Sequence, residues 1–173
     1  MKQLFFISVT LFCLQFTVTA QDYDNAVEYL NAISRQRENI SKKFMAYVSA
    51  SAHGKREKKV EALRAKLLDE VQEAKMNIGG LPSFKGDKGY RDSTVVFLKL
   101  YYNVLNEDYG KIVNMEEIAE QSYDAMEAYM MAQELVNKKL DEGNEKMRLA
   151  TEVFAAKNNI TLTKSSTELG EKM

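Results

Sequence analysis

Apolar residues recur along this chain at intervals of four and three, the spacing that lines one face of an α-helix. Between Asp24 and Ala52 the stripe is Ala26, Leu30, Ile33, Arg37, Ile40, Phe44 and Tyr47. That is the heptad rhythm of a helix packed in a bundle seam. Arg37 interrupts it. A structural reading lays its aliphatic stem along the seam with the head in water. A functional reading makes it an anion site in the bundle. From Lys55 to Ile78 a second stripe carries Val60, Leu63, Leu67, Val71, Ala74 and Ile78. The link through His53 and Gly54 is short, and Gly54 suits the left-handed position after a helix C-terminus. These two helices are therefore expected to form an antiparallel hairpin.

The pattern then stops. The stretch NIGGLPSFKGDKGYRDS, residues 77 to 93, holds four of the eight glycines and the only proline. Beyond it, Asp92 or Ser93 can cap a third helix reaching about Tyr109, with Phe97, Leu98, Tyr101, Val104 and Leu105 on its face. Gly110 weakens that helix. Asn114 followed by Glu117 looks like a variant capping box, so a fourth helix is expected from near Met115. Its stripe is Ser122, Met126, Tyr129, Gln133, Val136, Leu140, Gly143, Met147, Ala150 and Phe154. Run out to Asn158, it makes a rod of roughly 65 Å at ~1.5 Å per residue. Residues 141 to 144 are the one place it is expected to bend or break. The sum is an all-α, antiparallel four-helix bundle of two long hairpins, joined by a glycine-rich crossover of about twelve residues. That is longer than the usual ~2–8 for a bundle connection.

The first twenty residues, MKQLFFISVTLFCLQFTVTA, do not belong to this pattern. Lys2, the apolar run from Leu4 to Leu14, and Val18-Thr19-Ala20 have the layout of a secretory signal peptide. The competing reading is a membrane anchor, for which the run is short against the ~20 residues a spanning helix needs. The expected organisation is a signal peptide over 1–20, a helical domain over 21–160 and a polar tail over 161–173. Cys13, the only cysteine, would leave with the signal, and its neighbours Leu11 and Phe12 do not form a lipobox. Removing Lys2 leaves 23 basic residues against 25 acidic ones. No basic stripe stands out, so nucleic acid is not an expected partner. No second segment is apolar enough to span a membrane.

The segments SFKGDKGYRDSTVVFLKLYYNVLNEDYGKI, MEEIAEQSYDAMEAYMMAQELVNKKLDE and FAAKNNITL resemble a family of exported bacterial surface proteins of helical build with no assigned activity. The resemblance is densest from Phe84 to Asn159. It implies export and a helical fold, and brings no catalytic residues.

Enzyme chemistry finds little here. A di-iron bundle needs Glu-x-x-His on two helices, and the one histidine, His53, sits in a turn. Histidines and cysteines are too few for a zinc hydrolase, and neither a nucleophile elbow nor a P-loop is present. Glu116, Glu117, Glu120, Asp124 and Glu127 read better as a solvated helix face than as a cation site. Met126 and Met130, four apart with Met131 beside them, offer soft thioether ligands for a metal ion, or flexible core filler. Five tyrosines of the second hairpin, Tyr101, Tyr102, Tyr109, Tyr123 and Tyr129, fit a boundary layer or a ligand groove.

In the crossover, Phe84, Lys85, Asp87, Lys88, Tyr90 and Arg91 are the candidate contact surface. The alternative folds Leu81, Phe84 and Tyr90 inward as a plug for the bundle end. The leading expectation is a non-enzymatic, exported binding or interaction module of the cell surface or periplasm, without cofactor. Its partner is a protein or a small ligand, and its heptad helices also suit a homodimer. The alternative is an extracytoplasmic carrier of a small ligand or soft metal ion. A carrier should show a cavity with inward polar groups between the last two helices. An interaction protein should show a packed interior and an exposed patch around residues 81 to 91.

Overall fold

The computed structural model describes residues 23–53 and 56–162. The signal-like segment 1–20, Gly54 and the last eleven residues of the polar tail lie outside them. Helix α1 spans Ala26–Ala52 and α2 spans Glu57–Gly79. Helix α3, Gly89–Asn103, runs without interruption through a π-helical turn, Val104–Asp108, into α4, Tyr109–Ala119. Helix α5 spans Tyr123–Lys157. Counting the continuous α3–π–α4 rod once, the fold is the expected all-helical four-helix bundle. Helix α1 packs on α2, α2 on α3, α3 on α5, and α4 on α5.

The boundaries of the second hairpin differ from expectation. No helix starts at Asn114, which lies inside α4. The third helix passes Gly110 because Val104 and Ile112 bury against Val136 of α5, and this packing outweighs the weak local propensity of a glycine. Ser122 is the true cap of α5, its Oγ accepting from the Ala125 N–H at 3.2 Å, as capping serines do. The third helix also starts earlier than expected, at Gly89 rather than at Asp92 or Ser93.

The expected break at residues 141–144 does not occur: α5 runs on through them. Gly143 is buried in the middle of α5, where a Cβ would lie 2.6 Å from Leu100 Cδ2 and 3.5 Å from Phe97 Cδ2. The glycine is there to let α5 approach α3 closely. The π turn is tied from both sides. Arg64 of α2 donates to the carbonyls of Leu105 and Asn106 at 3.2 and 3.4 Å while forking onto Glu61. Lys139 of α5 pairs with Asp108 at 2.8 Å. Arg64 thus serves carbonyls that the wider π ladder leaves available.

The main core runs along α1, α2 and α3 through Ile33, Ile40, Leu67, Val71, Ile78, Leu98 and Leu105. It ends in an aromatic cluster. Phe154 of α5 stacks on Tyr90 at 4.9 Å and meets Phe84 edge-on at 5.5 Å. Tyr29, with its ring 5.7 Å from Phe154, donates its hydroxyl to the Pro82 carbonyl at 3.0 Å.

Candidate functional site

The crossover residues divide between interior and surface. Phe84 and Tyr90 are almost fully buried in the aromatic cluster, so the inward plug describes them. Between them Phe84 and Asp87 exchange backbone hydrogen bonds at 3.0 and 2.9 Å. Lys85 and Gly86 form the turn, with φ of 49° and 84°, the two positive values a tight mirror-image turn requires. Asp87 accepts from the Gly89 N–H at 2.7 Å and pairs with Lys157 at 2.8 Å. Arg91 donates to the Leu81 carbonyl and to Asp92. Lys85 and Lys88 face solvent. The loop's aromatic groups hold the bundle end together, and its outer face carries charge without an exposed ring.

The methionines go the other way. Met126 was placed on the seam by its spacing, but it is 38% exposed, and Met130 and Met131 are 61% and 64% exposed. The seam of α5 holds from Val136 through Gly143, Met147 and Phe154. Before Val136 the same stripe is exposed at Met126. The first half of α5 packs chiefly on α4, through Ile112, Tyr129, Ala132 and Val136, and its other faces have no neighbour. Tyr123, 82% exposed, joins the three methionines around a shallow depression of about 460 Å³ whose polar lining includes Glu127, Gln133 and Glu134. Ile118 and Leu135 are exposed nearby. Gln133 donates to the Tyr129 hydroxyl at 2.7 Å.

The stretch of chain that carries this face has charge of one sign only, and Glu127 and Glu134 line the depression itself. From Ile112 to Asn137 the chain carries Glu116, Glu117, Glu120, Asp124, Glu127 and Glu134, and no lysine, arginine or histidine. Contiguous exposed apolar surface of this kind marks interaction sites. Methionine lends such a surface adaptability, because its unbranched chain re-forms around different shapes. Sequence reasoning found these residues but assigned Met126 to the core, since periodicity cannot tell where a helix's neighbour stops.

Arg37 lies with its guanidinium 5.6 Å from the centre of the Phe97 ring. It borders a cleft of about 250 Å³ between α1 and α5, with Ile40, Phe44, Phe97, Tyr101 and Leu140 as its walls. Phe97 and Tyr101 stack at 5.9 Å on its floor, and Phe44 meets Tyr101 edge-on at 6.1 Å. Burial holds the Tyr101 phenol well above the ordinary range. Among the described residues no three His, Cys, Asp or Glu side chains gather as a metal site. No described helix is long and apolar enough to cross a membrane. Compared with models of known families, with curated proteins and with solved structures, the chain finds no match.

Proposed function

We propose that this chain is an exported, non-catalytic interaction module of the cell surface or periplasm. Its working surface is the methionine face of the α4–α5 hairpin, and its partner is a cationic amphipathic segment of another protein. The observation that carries this reading is the exposure of Met126, Met130, Met131 and Tyr123 on a helix face the bundle leaves uncovered. Burying that face would remove apolar area from water at roughly 25 cal/mol per Å². Glu127 and Glu134, which line it, and the acidic stretch of chain that carries it select a basic partner and raise its encounter rate. The same charge argues against a dimer that apposes two copies of this face, since like charges across an interface cost several kcal/mol. The signal-like first twenty residues and the likeness to exported surface proteins support the location.

A soft-metal site at Met126 and Met130 is the weaker reading. A thioether site draws its sulfurs together around one ion, and here all three neighbouring methionines belong to one exposed helix.

The test is a titration of the exported chain against dye-labelled amphipathic helical peptides, read by fluorescence anisotropy. A Lys/Leu peptide should bind and weaken as salt rises, and a Glu/Leu peptide of the same pattern should not. The triple variant Met126→Ser, Met130→Ser, Met131→Ser should lose the Lys/Leu complex. Equal binding of both peptides, or an unaffected triple variant, would refute the assignment.

A further inference from the structure

A second site lies at the other junction of the bundle. Helices α1 and α5 do not pack closely along their length. They meet at the base, where Tyr29 touches Phe154. Above that contact the space between them is the cleft floored by Phe97 and Tyr101 of α3. Most four-helix bundles close this side with interlocking side chains. Here Arg37 occupies the seam position that would do so, and its head lies over the Phe97 ring instead.

The chemistry of the cleft has two parts. Ile40, Phe44, Leu98 and Leu140 make the walls apolar. At the mouth stand Arg37, Ser41 and Asn144. Arg148, which lines the adjoining depression with Arg37, is held by Glu145 and Glu152. Among the described residues no carboxylate pairs with Arg37, whose guanidinium carbon lies 5.6 Å from the centre of the Phe97 ring. A guanidinium with no carboxylate partner keeps a planar fork of donors that matches a carboxylate. Its weak hydration makes the half-buried position tolerable.

We infer that this cleft binds a small amphipathic monocarboxylate, with the apolar body over Phe97 and Tyr101 and the carboxylate on Arg37. The volume sets the size. At about 250 Å³ it lies below the ~300–1,000 Å³ of sites for drug-sized ligands, so a short aliphatic chain or a single ring fills it. The rim sets the charge. Asp141 and Glu145 line the adjoining depression together with Arg37, and their charge opposes a dianion more than a monoanion. Ser41 and Asn144 supply hydroxyl and amide groups to the second carboxylate oxygen. This site is separate from the methionine face and stands or falls independently of it.

The experiment uses the exported chain and octanoate as the probe, with octanamide as the uncharged control, measured by calorimetry or ligand-observed NMR. Octanoate should bind at least ten-fold more tightly than octanamide. Arg37→Met, which keeps the stem and removes the charge, should bring the two ligands level, and Arg37→Lys should keep a preference for the acid. Ser41→Leu, which fills the mouth from an exposed position, should block both. The triple methionine variant should bind octanoate like the parent. The inference is overturned by the absence of millimolar or tighter binding, by equal affinity for acid and amide, or by an Arg37→Met variant that still prefers the acid. A triple methionine variant that loses octanoate would move the binding to the α4–α5 face and overturn it too.

Discussion

Two glycines of the second hairpin should answer the same substitution with opposite signs. Gly110 in α4 has no atom within 4 Å of an added Cβ. Gly110→Ala should therefore return only the helix propensity, about 0.5–1 kcal/mol of added stability. Gly143 in α5 gains the same propensity, but its Cβ would stand 2.6 Å from Leu100 Cδ2, against an optimum of about 3.5–4.0 Å between carbons. Leu100 can turn only against the packed cluster of Val104, Ile112 and Val136, and Phe97 fills the next space. Overpacking of this kind costs about 1–3 kcal/mol, so Gly143→Ala should come out between neutral and about 2 kcal/mol destabilising. For a chain of this length 1 kcal/mol moves the midpoint by about 2–4 °C. Thermal and urea unfolding of both variants, followed by circular dichroism, reads the difference. A third background closes the logic: in Leu100→Ala the clash is gone, and Gly143→Ala should now stabilise as Gly110→Ala does. If Gly143→Ala stabilises the parent chain as much as Gly110→Ala, the close approach of α3 and α5 at this point is wrong.

The aromatic base gives a second pair. The Tyr90 hydroxyl is buried without a hydrogen-bond partner, so Tyr90→Phe should be neutral or stabilising by about 1 kcal/mol. Tyr29→Phe, which loses the bond to the Pro82 carbonyl, should cost about 1 kcal/mol in the same urea assay. In base, burial raises the phenols of Tyr29, Tyr47, Tyr101 and Tyr109. The fold therefore favours their neutral form. Its stability should be full below pH about 10 and fall as the pH rises from there toward the raised values, and a urea midpoint unchanged between pH 9 and pH 11 would contradict this. In acid, the Lys157 ammonium and then the Gly89 N–H hold the Asp87 carboxyl below its ordinary range. That contribution is present above pH about 4 and disappears as the pH falls through the depressed value. Asp87→Ala should cost about 1 kcal/mol at pH 7, like a lost helix cap, and should flatten the acid limb of the stability curve.

The first hairpin was legible in its stripes, because α1 and α2 pack on each other. Leu67, Val71, Ala74 and Ile78 are buried as their spacing requires. The second hairpin misled in two places for physical reasons. The capping signal at Asn114 and the weak helix former Gly110 are local preferences, and burial of Ile112 against Val136 overrode both. Met126 keeps the four-three rhythm of the seam, yet rhythm records only which residues share a face. Whether that face meets another helix depends on which neighbours the tertiary fold places beside α5, here α3 and α4. The crossover was open between surface and plug. Lys85-Gly86 between Phe84 and Asp87 is a turn signal that, read with the buried rings, accounts for the loop. Arg37 stood out in the sequence as a break in an apolar stripe. Its cleft did not, since it arises from the separation of α1 and α5, which no single stripe encodes.

The central claim is that the methionine face meets a basic partner, and site-specific crosslinking in the cell that makes this chain tests it most directly. A photoreactive benzoyl group placed at position 130, on the methionine face, is compared with one at position 96, where Val96 is exposed on α3. The account predicts a discrete adduct from position 130, with the linked peptide rich in lysine or arginine and apolar at helical spacing, and none from position 96. An adduct set that is the same at both positions, or a position 130 linked only to acidic segments or to a second copy of this chain, would contradict it.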